Sequence, residues 1–246
     1  MIVEVPEQTR LAVIGDIHCH SEQFFKILEE INPRKNMWLV SVGDVVEKGF
    51  GIRAFEKITD KLIELENKGI CFATIGNHEK KVIKKAKGTD KMTPQLKWWK
   101  NRPLSITFNF KSGSIVTVLH AGVTPKMTKE DIERNIEVLY VRDVDVDGKM
   151  IPLIWKDIDG VKTLIKSKEG GESWHNKYLG QFGYIASGHA AQKDGIAKFY
   201  KYSCNLDSGV YETGILTAQV FDENGNLGKL ITVEGPAAKP DIHVAY

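Results

Sequence analysis

Short polar motifs follow apolar, β-prone runs of this sequence at five separate places. Each motif sets a glycine beside a carboxylate, an amide or an imidazole; in chain order they are Gly15-Asp16-Ile17-His18, Gly43-Asp44, Gly76-Asn77-His78-Glu79, His120-Ala121-Gly122 and Gly188-His189-Ala190. Aspartate, asparagine and histidine together supply the oxygen and nitrogen ligands that a hard or borderline metal ion prefers. The series therefore predicts a metal-dependent hydrolase.

The N-terminal half alternates apolar runs of strand length with segments of helical periodicity. This pattern predicts strands at residues 10–14, 37–42 and 70–75, and helices at residues 21–31 and 52–65. A β-α-β-α-β order is typical of a parallel sheet with helices packed on it. Because functional side chains collect beyond the carboxyl ends of such strands, we expect the first three motifs to lie close together.

The C-terminal half is predicted to be rich in strands, with a helix at residues 129–138. The predicted strands cover residues 104–110, 114–120, 183–187, 197–202, 215–221 and 229–233. The fold class is therefore α/β, with a βαβαβ N-terminal half and a β-rich C-terminal half.

Composition narrows the class of protein further. The chain has 246 residues, 42% of them hydrophobic, which suits one large domain; we assign it to residues 1–235, with a C-terminal tail at 236–246. A net charge of +2 does not by itself argue for a nucleic-acid or membrane partner. Three cysteines without a CxxC pair predict neither a disulfide framework nor a structural zinc site. With no signal-peptide pattern, a reducing cytoplasm is the expected location.

The spacing of the motif residues suits a pair of metal ions. Asp16 and His18 are two residues apart, so on an extended segment both side chains point the same way and can bind one ion. Asp44 follows the next strand and could share its oxygens between that ion and a second, which would be completed by Asn77, His120 and His189. Two cations about 3.5–4 Å apart suit hydrolysis of a phosphate ester, because both the attacking and the departing oxygen are stabilised.

Each motif taken alone has a plainer explanation. An aspartate after a glycine is commonly a turn residue or a helix cap, and a single histidine is commonly a hydrogen-bonded core residue. The run Asn77-His78-Glu79 in one short turn is less common. Five such turns in order, each following a predicted strand, favour a metal site over independent structural roles.

Together the motifs resemble those of the calcineurin-like metallophosphoesterases, which are written GDxHG, GDxxDRG, GNHE, HxG and GH. The chain is similar to the branch of bacterial and phage serine/threonine protein phosphatases and diadenosine tetraphosphatases, and to the phosphatase domain of bacterial polynucleotide kinase-phosphatases. The resemblance covers residues 10–221, including Asn205-Leu206-Asp207-Ser208-Gly209. It implies a sandwich of two mixed β-sheets flanked by helices.

The resemblance also implies roles for single residues. Asp16, His18 and Asp44 match the ligands of the first metal, and the second-metal ligands are matched by Asp44, Asn77, His120 and His189. His78 matches the residue that protonates the leaving oxygen, a task for which an imidazole has a suitable pKa; a helix-capping role is the alternative. The cofactor implied is two divalent ions, with Mn²⁺ preferred and Fe, Zn, Ni, Co or Mg as alternatives.

Three positions depart from the family pattern. Cys19 replaces a glycine, and a buried core role for its thiol is preferred to metal binding. Glu47 stands where an aspartate orients the catalytic histidine. Lys48 stands where an arginine holds the phosphate, and a lysine offers a point charge instead of a planar fork. Arg142 is a second candidate for substrate binding, with a solvated surface arginine as the alternative.

The function we predict is a dinuclear-metal-dependent phosphatase of the protein-phosphatase-like branch, which uses a metal-bridging hydroxide. Hydrolysis of dinucleoside polyphosphates or of RNA-end phosphates is the first alternative, and a non-catalytic module that binds phosphate or nucleic acid is the second. The expected partner is accordingly a phosphorylated substrate: a phosphoprotein, a dinucleoside polyphosphate or a nucleic-acid end. We expect no membrane association and no obligate protein partner.

A run of lysines after the Gly-Asn-His-Glu turn bears on the choice of substrate. On a helix, a basic stripe would be formed by Lys80, Lys81, Lys84, Lys85 and Lys87. A solvated helix face is the plainer interpretation, and a track for a polyanion is the alternative.

Overall fold

The computed structural model describes residues 1–158 and 161–238. Its strands are β1 (Ile2–Glu4), β2 (Arg10–Ile14), β3 (Met37–Ser41), β4 (Cys71–Ala73), β5 (Ser105–Asn109), β6 (Ile115–Leu119), β7 (Asp143–Val144), β8 (Leu153–Ile158), β9 (Val161–Lys166), β10 (Glu172–Ser173), β11 (Tyr184–Ser187), β12 (Lys198–Phe199), β13 (Ser203–Asn205), β14 (Ile215–Phe221) and β15 (Leu227–Glu234). The helices are α1 (Ser21–Ile31), α2 (Ile52–Asn67), α3 (Asn77–Ala86), α4 (Pro94–Lys100), α5 (Lys129–Arg134), α6 (Trp174–Lys177) and α7 (Val210–Thr213), with a 3₁₀ turn at Ile136–Leu139.

The N-terminal half builds most of a five-stranded mixed sheet in the order β15-β14-β2-β3-β4. Strands β2, β3 and β4 are parallel, with Leu39 of β3 opposite Ala12 on one side and Cys71 on the other. Antiparallel β14 pairs with β2 and extends the sheet on the other edge. The βαβαβ unit is therefore present, and its three carboxyl ends lie side by side.

A second mixed sheet has six strands in the order β1-β5-β6-β11-β13-β12. Its centre is again parallel, because β11 runs parallel to both β6 and β13. Strands β5 and β6 form an antiparallel hairpin, with Thr107 opposite Thr117. This sheet also presents three neighbouring carboxyl ends.

The two sheets pack face to face. Leu11 and Val13 of β2 join an apolar cluster with residues of β5, β6 and β11, whereas Ala12 and Ile14 lie in the cluster that contains α1 and α2. Strands buried on both faces read as continuous apolar runs, which is the pattern of β2 and β3. The predicted fold class, a sandwich of two mixed sheets flanked by helices, is confirmed.

Several boundaries differ from the predictions. The helix expected at 129–138 ends at Arg134, because Asn135 leaves helical geometry and caps the 3₁₀ turn that follows. In the predicted tail, Pro236 O accepts a hydrogen bond from Gln23 Nε2 at 2.8 Å; residues 239–246 lie outside the described residues. Within the described ranges, no helix has the length and apolar character needed to cross a membrane.

Candidate metal centre

The carboxyl ends of both sheets meet at one place, and the polar motifs lie there. His189, after β11, donates its backbone N–H to both carboxylate oxygens of Asp16, after β2, at 3.1 Å. His120, after β6, places Nε2 3.3 Å from Oδ2 of Asp44, after β3. Asn77 begins α3 just beyond β4. Each metal-ligand candidate from the sequence is therefore delivered by a separate strand end, except the pair Asp16 and His18.

Two groups of ligand atoms form around one shared carboxylate. The ligand atoms of His18, Asp44 and His78 lie within 4.8 Å of one another, as do those of Asp44, His120 and His189. Oδ2 of Asp16 lies 3.9 Å from His18 Nε2, so this carboxylate borders the first group. Asp44 belongs to both groups, which is the position of a bridging ligand.

Backbone carbonyls set the orientation of two of the histidines. Nδ1 of His18 lies 3.2 Å from Val46 O, and Nδ1 of His120 lies 3.1 Å from Val42 O. A carbonyl only accepts, so each Nδ1 carries the proton and donates it. The lone pair of a neutral ring is then on Nε2, the atom that faces Asp44. In metal-binding histidines, the ring nitrogen that does not bind the metal usually makes a hydrogen bond, and this bond orients the nitrogen that does.

The contacts of Asn77 test whether a cation fits. Its Oδ1 lies 2.8 Å from His120 Nε2 and 2.9 Å from His189 Nδ1. Nε2 of neutral His120 carries no proton, yet it faces both this oxygen and Asp44 Oδ2. Acceptor atoms that face one another in a buried site need positive charge between them. A divalent cation supplies it, so the residues present fit a metal ion.

The pKa shifts express the same need for positive charge. Burial, together with the charges of Asp207 and Asp44, raises the pKa of Asp16 well above its usual range. Burial disfavours charge on His120, but the carboxylate of Asp44 outweighs it and raises the pKa of His120. Burial and the nearby Lys48 ammonium lower the pKa of His18, which keeps its ring neutral and able to bind a metal.

Glu79 holds the loop that carries Asp44. It is fully buried, and its two oxygens accept four backbone N–H groups, from Asp44 at 2.9 Å, Val45 at 2.7 Å, Val46 at 3.0 Å and Gly76 at 3.0 Å. Asp44 in turn accepts the N–H of His78 at 2.9 Å. The loop after β3 and the start of α3 are thus joined by a reciprocal set of charge-assisted hydrogen bonds.

Glu47 contacts His78 directly despite its extra methylene. Oε2 of Glu47 lies 2.6 Å from His78 Nδ1, and Lys81 Nζ donates to the same oxygen at 2.9 Å. Burial opposes the charge on Glu47, but these two hydrogen bonds outweigh it and lower the pKa of Glu47 to about 2. With Nδ1 held in this way, His78 directs Nε2 to a point 3.8 Å from Asp44 Oδ2.

Lys48 and Arg142 both lie at this site, with different contacts. Lys48 places Nζ 3.5 Å from His18 Nε2 and 4.4 Å from the ring centre of Tyr211. Arg142 donates from Nη2 to the carbonyl of His189 at 2.8 Å, while its buried Nε has no hydrogen-bond partner among the described residues. Both positive charges therefore border the ligand groups.

Backbone strain is concentrated around the ligands. Left-handed φ angles occur at non-glycine residues of the site, at His18 (44°), Cys19 (59°), Asp44 (49°), Glu47 (65°), Lys48 (61°) and His189 (69°). Each such residue costs on the order of 1–3 kcal/mol and persists only where its surroundings fix it. Cys19, which takes this conformation where the family pattern has glycine, buries its side chain in the main core cluster.

Sequence reasoning gave no role to two of the carboxylates found here. Asp207 follows β13 and is buried, and its charge acts on Asp16. Glu79 was recognised only as part of a motif. The available signal for Asp207 was a further strand end followed by Asp-Ser-Gly, but β13 has only three residues and gives a weak pattern.

The family model described as calcineurin-like phosphoesterase matches residues 9–193. A solved structure of a candidate diadenosine tetraphosphatase has 26% identity and a TM-score of 0.70, covering 95% of this chain and 97% of its own. A protein serine/threonine phosphatase from Saccharomyces cerevisiae has 15% identity and a TM-score of 0.60, covering 98% and 85%. A cold-active protein-tyrosine phosphatase of a Shewanella species has 12% identity and a TM-score of 0.55, covering 95% and 82%. No significant match was found among curated proteins.

Proposed function

The chain belongs to the calcineurin-like phosphoesterase family, and from this premise we propose that it is a dinuclear-metal-dependent phosphatase of the protein-phosphatase-like branch. The observation that carries the proposal is the pair of ligand groups that share Asp44. One shared carboxylate between two groups of buried ligand atoms is what a two-metal site requires.

The first ion would be held by Asp16, His18 and Asp44, and the second by Asp44, Asn77, His120 and His189. When bound, the two cations would supply Lewis acidity to the attacking water and to the phosphate oxygens. The ligands are carboxylate oxygens, one amide oxygen and imidazole nitrogens, with no thiolate among them. This set suits Mn²⁺, which we propose as the metal, and also Fe, Zn, Co and Ni; Mg²⁺ prefers an all-oxygen set.

His78 is the proposed proton donor to the leaving oxygen. Glu47 accepts a hydrogen bond from Nδ1–H of His78 at 2.6 Å, so the other nitrogen, Nε2, is the one directed towards the ligand groups. Lys81 holds the Glu47 carboxylate from the other side. Lys48 and Arg142 are the proposed substrate-binding cations, because both border the groups at the edge of the site.

A dinucleoside polyphosphate is the second candidate substrate. It is favoured by the likeness to the candidate diadenosine tetraphosphatase, which extends over 95% of this chain. The exposed lysines of α3 also suit a substrate with several phosphates, or an RNA end, since α3 begins at Asn77 and runs away from the site. A purely binding function is disfavoured because a non-catalytic module has no need of a complete ligand set.

A substrate panel tests the proposal. Protein loaded with Mn²⁺ is assayed on p-nitrophenyl phosphate, a phosphopeptide, diadenosine tetraphosphate and a 2′,3′-cyclic nucleotide. We expect turnover of the first two, with loss in Asp44→Asn and His120→Ala, whereas the surface variant Asp147→Asn retains it. Preference for diadenosine tetraphosphate would establish the second candidate. Wild-type turnover in both ligand variants would refute the mechanism.

The proposed location is the cytoplasm. Cys19, Cys71 and Cys204 are all buried and form no disulfide among the described residues, which suits a reducing compartment.

A further inference from the structure

The side chain of Lys48 does not by itself fix the position of its ammonium group. A lysine is a point charge on a flexible stem, whereas the arginine of the family pattern is a planar fork that finds its own orientation on a phosphate. Lys48 is exposed, and the carboxylates of Asp16 and Asp207 attract its ammonium. Its left-handed backbone, with φ at 61°, aims the stem, but it leaves the four rotatable bonds of the side chain unconstrained.

The ring of Tyr211 lies against this ammonium. Lys48 Nζ is 4.4 Å from the ring centre, a distance at which the negative face of an aromatic ring attracts a cation. The same ring makes a T-shaped contact with His18, with 5.5 Å between ring centres and 89° between planes. Tyr211 therefore borders both Lys48 and the metal-ligand candidate His18, which are themselves 3.5 Å apart between Lys48 Nζ and His18 Nε2.

The ring is itself held by a tight segment. Tyr211 lies in the four-residue helix α7, between Gly209 and Gly214, which have left-handed φ angles of 66° and 73°. Thr213 Oγ1 donates back to Ser208 O at 2.9 Å, which closes the segment on itself. The backbone carbonyl of Tyr211 accepts the N–H of Ala238 at 3.1 Å. These contacts fix the backbone of the segment from which the ring reaches Lys48.

We propose that Tyr211 is a positioning residue for Lys48, and that the two together form the phosphate-recognition element in this chain. The proposal rests on the proposed function, because phosphate binding by Lys48 is part of it. The ring supplies by cation–π attraction the orientation that an arginine would supply by its shape.

Binding of inorganic phosphate to the Mn²⁺-loaded protein, measured by calorimetry, tests the pair. Tyr211→Leu removes the ring face and is expected to weaken phosphate binding about three- to tenfold, with a matching rise in KM for p-nitrophenyl phosphate and little change in kcat. Tyr211→Phe keeps the ring face and is expected to bind as wild type does. Tyr202→Leu, which removes the remote Lys201–Tyr202 pair of the same kind, is the matched control and is expected to change nothing at the site.

Two further variants separate positioning from a merely structural role. In a Lys48→Met background, Tyr211→Leu is expected to weaken phosphate binding no further, because there is no ammonium left to position. Lys48→Arg is expected to restore phosphate binding to Tyr211→Leu, because the guanidinium fork orients itself. Circular dichroism and bound-metal content verify that each variant is folded and loaded.

The outcomes distinguish this proposal from the proposed function. Undiminished phosphate binding in Tyr211→Leu, or an equal loss in the Lys48→Met background, would overturn the pairing while leaving the phosphatase assignment intact. Phosphate binding without turnover of any phosphoester by the wild type would refute the proposed function, and the calorimetric comparison would still decide on the pair. Absence of phosphate binding by the loaded wild type would overturn the pairing.

Discussion

Glu79 accepts the backbone N–H of Asp44 at 2.9 Å, and through this bond the first turn of α3 holds the loop that carries the one carboxylate shared by both ligand groups. Glu79→Gln replaces an acceptor oxygen with a donor and leaves buried N–H groups of the loop unpaired. We expect a loss of about 2–3 kcal/mol in the free energy of unfolding, measured by urea denaturation of the metal-free protein. Glu29→Gln, on the exposed face of α1, is the control and should be neutral. A neutral Glu79→Gln would mean that the loop does not depend on this carboxylate.

Glu47 orients His78 in the proposed mechanism, so the charge of Glu47 matters more than the length of its side chain. Glu47→Gln is expected to lower kcat on p-nitrophenyl phosphate about 10- to 100-fold with KM little changed, because a misoriented imidazole affects proton transfer and not substrate binding. Glu47→Asp keeps the charge and should lose less. A rise in KM at constant kcat would instead indicate that Glu47 serves substrate binding.

Gly188 lies against the carboxylate of Asp16, and a Cβ at this position would overlap Oδ1. Gly188→Ala should therefore displace Asp16 and reduce the metal bound at that side of the site. The measurement is bound Mn²⁺ per chain, with Gly228→Ala, a glycine of β15 distant from the ligand groups, as the control. Full metal content in Gly188→Ala would show that Asp16 is not required for binding.

His175, which is not one of the ligand candidates, makes the free energy of unfolding depend on pH. It is buried between the rings of Trp174 and Tyr200, and burial lowers its pKa from 6.5 to about 3. The unfolded chain takes up the proton first as pH falls, so the neutral buried ring contributes full stability above pH 6.5 and loses it progressively below that value. Between pH 7 and pH 5 the loss should be about 2 kcal/mol.

Urea denaturation of wild type and His175→Gln at pH 7, 6 and 5 isolates this group from the other histidines. The variant is expected to be less stable at neutral pH, since it loses the stacking, yet to lose less stability on acidification. Parallel pH profiles for the two proteins would contradict the assignment.

The sequence predicted those features that depend on local patterns. The runs that became β2 and β3 are continuously apolar because both faces of the strand are buried, so they were recognisable without any partner. The ligand candidates each follow such a run. Their convergence was expected because functional side chains collect beyond the carboxyl ends of parallel strands. The contact of His120 with Asp44 shows that the convergence includes side chains from both sheets.

Other features depend on pairing between distant segments and left no local signal. Strand β1 has three residues with an exposed pattern and exists because it pairs with β5, about a hundred residues away. Strands β8 and β9 carry exposed apolar residues, among them Trp155. A pattern of buried residues therefore could not identify these two strands from the sequence. The contact of Tyr211 with Lys48 joins α7 to the loop after β3, segments far apart in the sequence, and could be found only in three dimensions.

The proposed function requires Asp44 to bind two metal ions at once, and the amount of metal bound per chain measures this directly. Protein incubated with Mn²⁺ and freed of excess metal should retain about two ions per chain by elemental analysis. Asp44→Asn should retain less than about one, since both sites lose a ligand. Asp147→Asn should match the wild type. No retained metal in the wild type, or wild-type content in Asp44→Asn, would contradict the shared two-metal site.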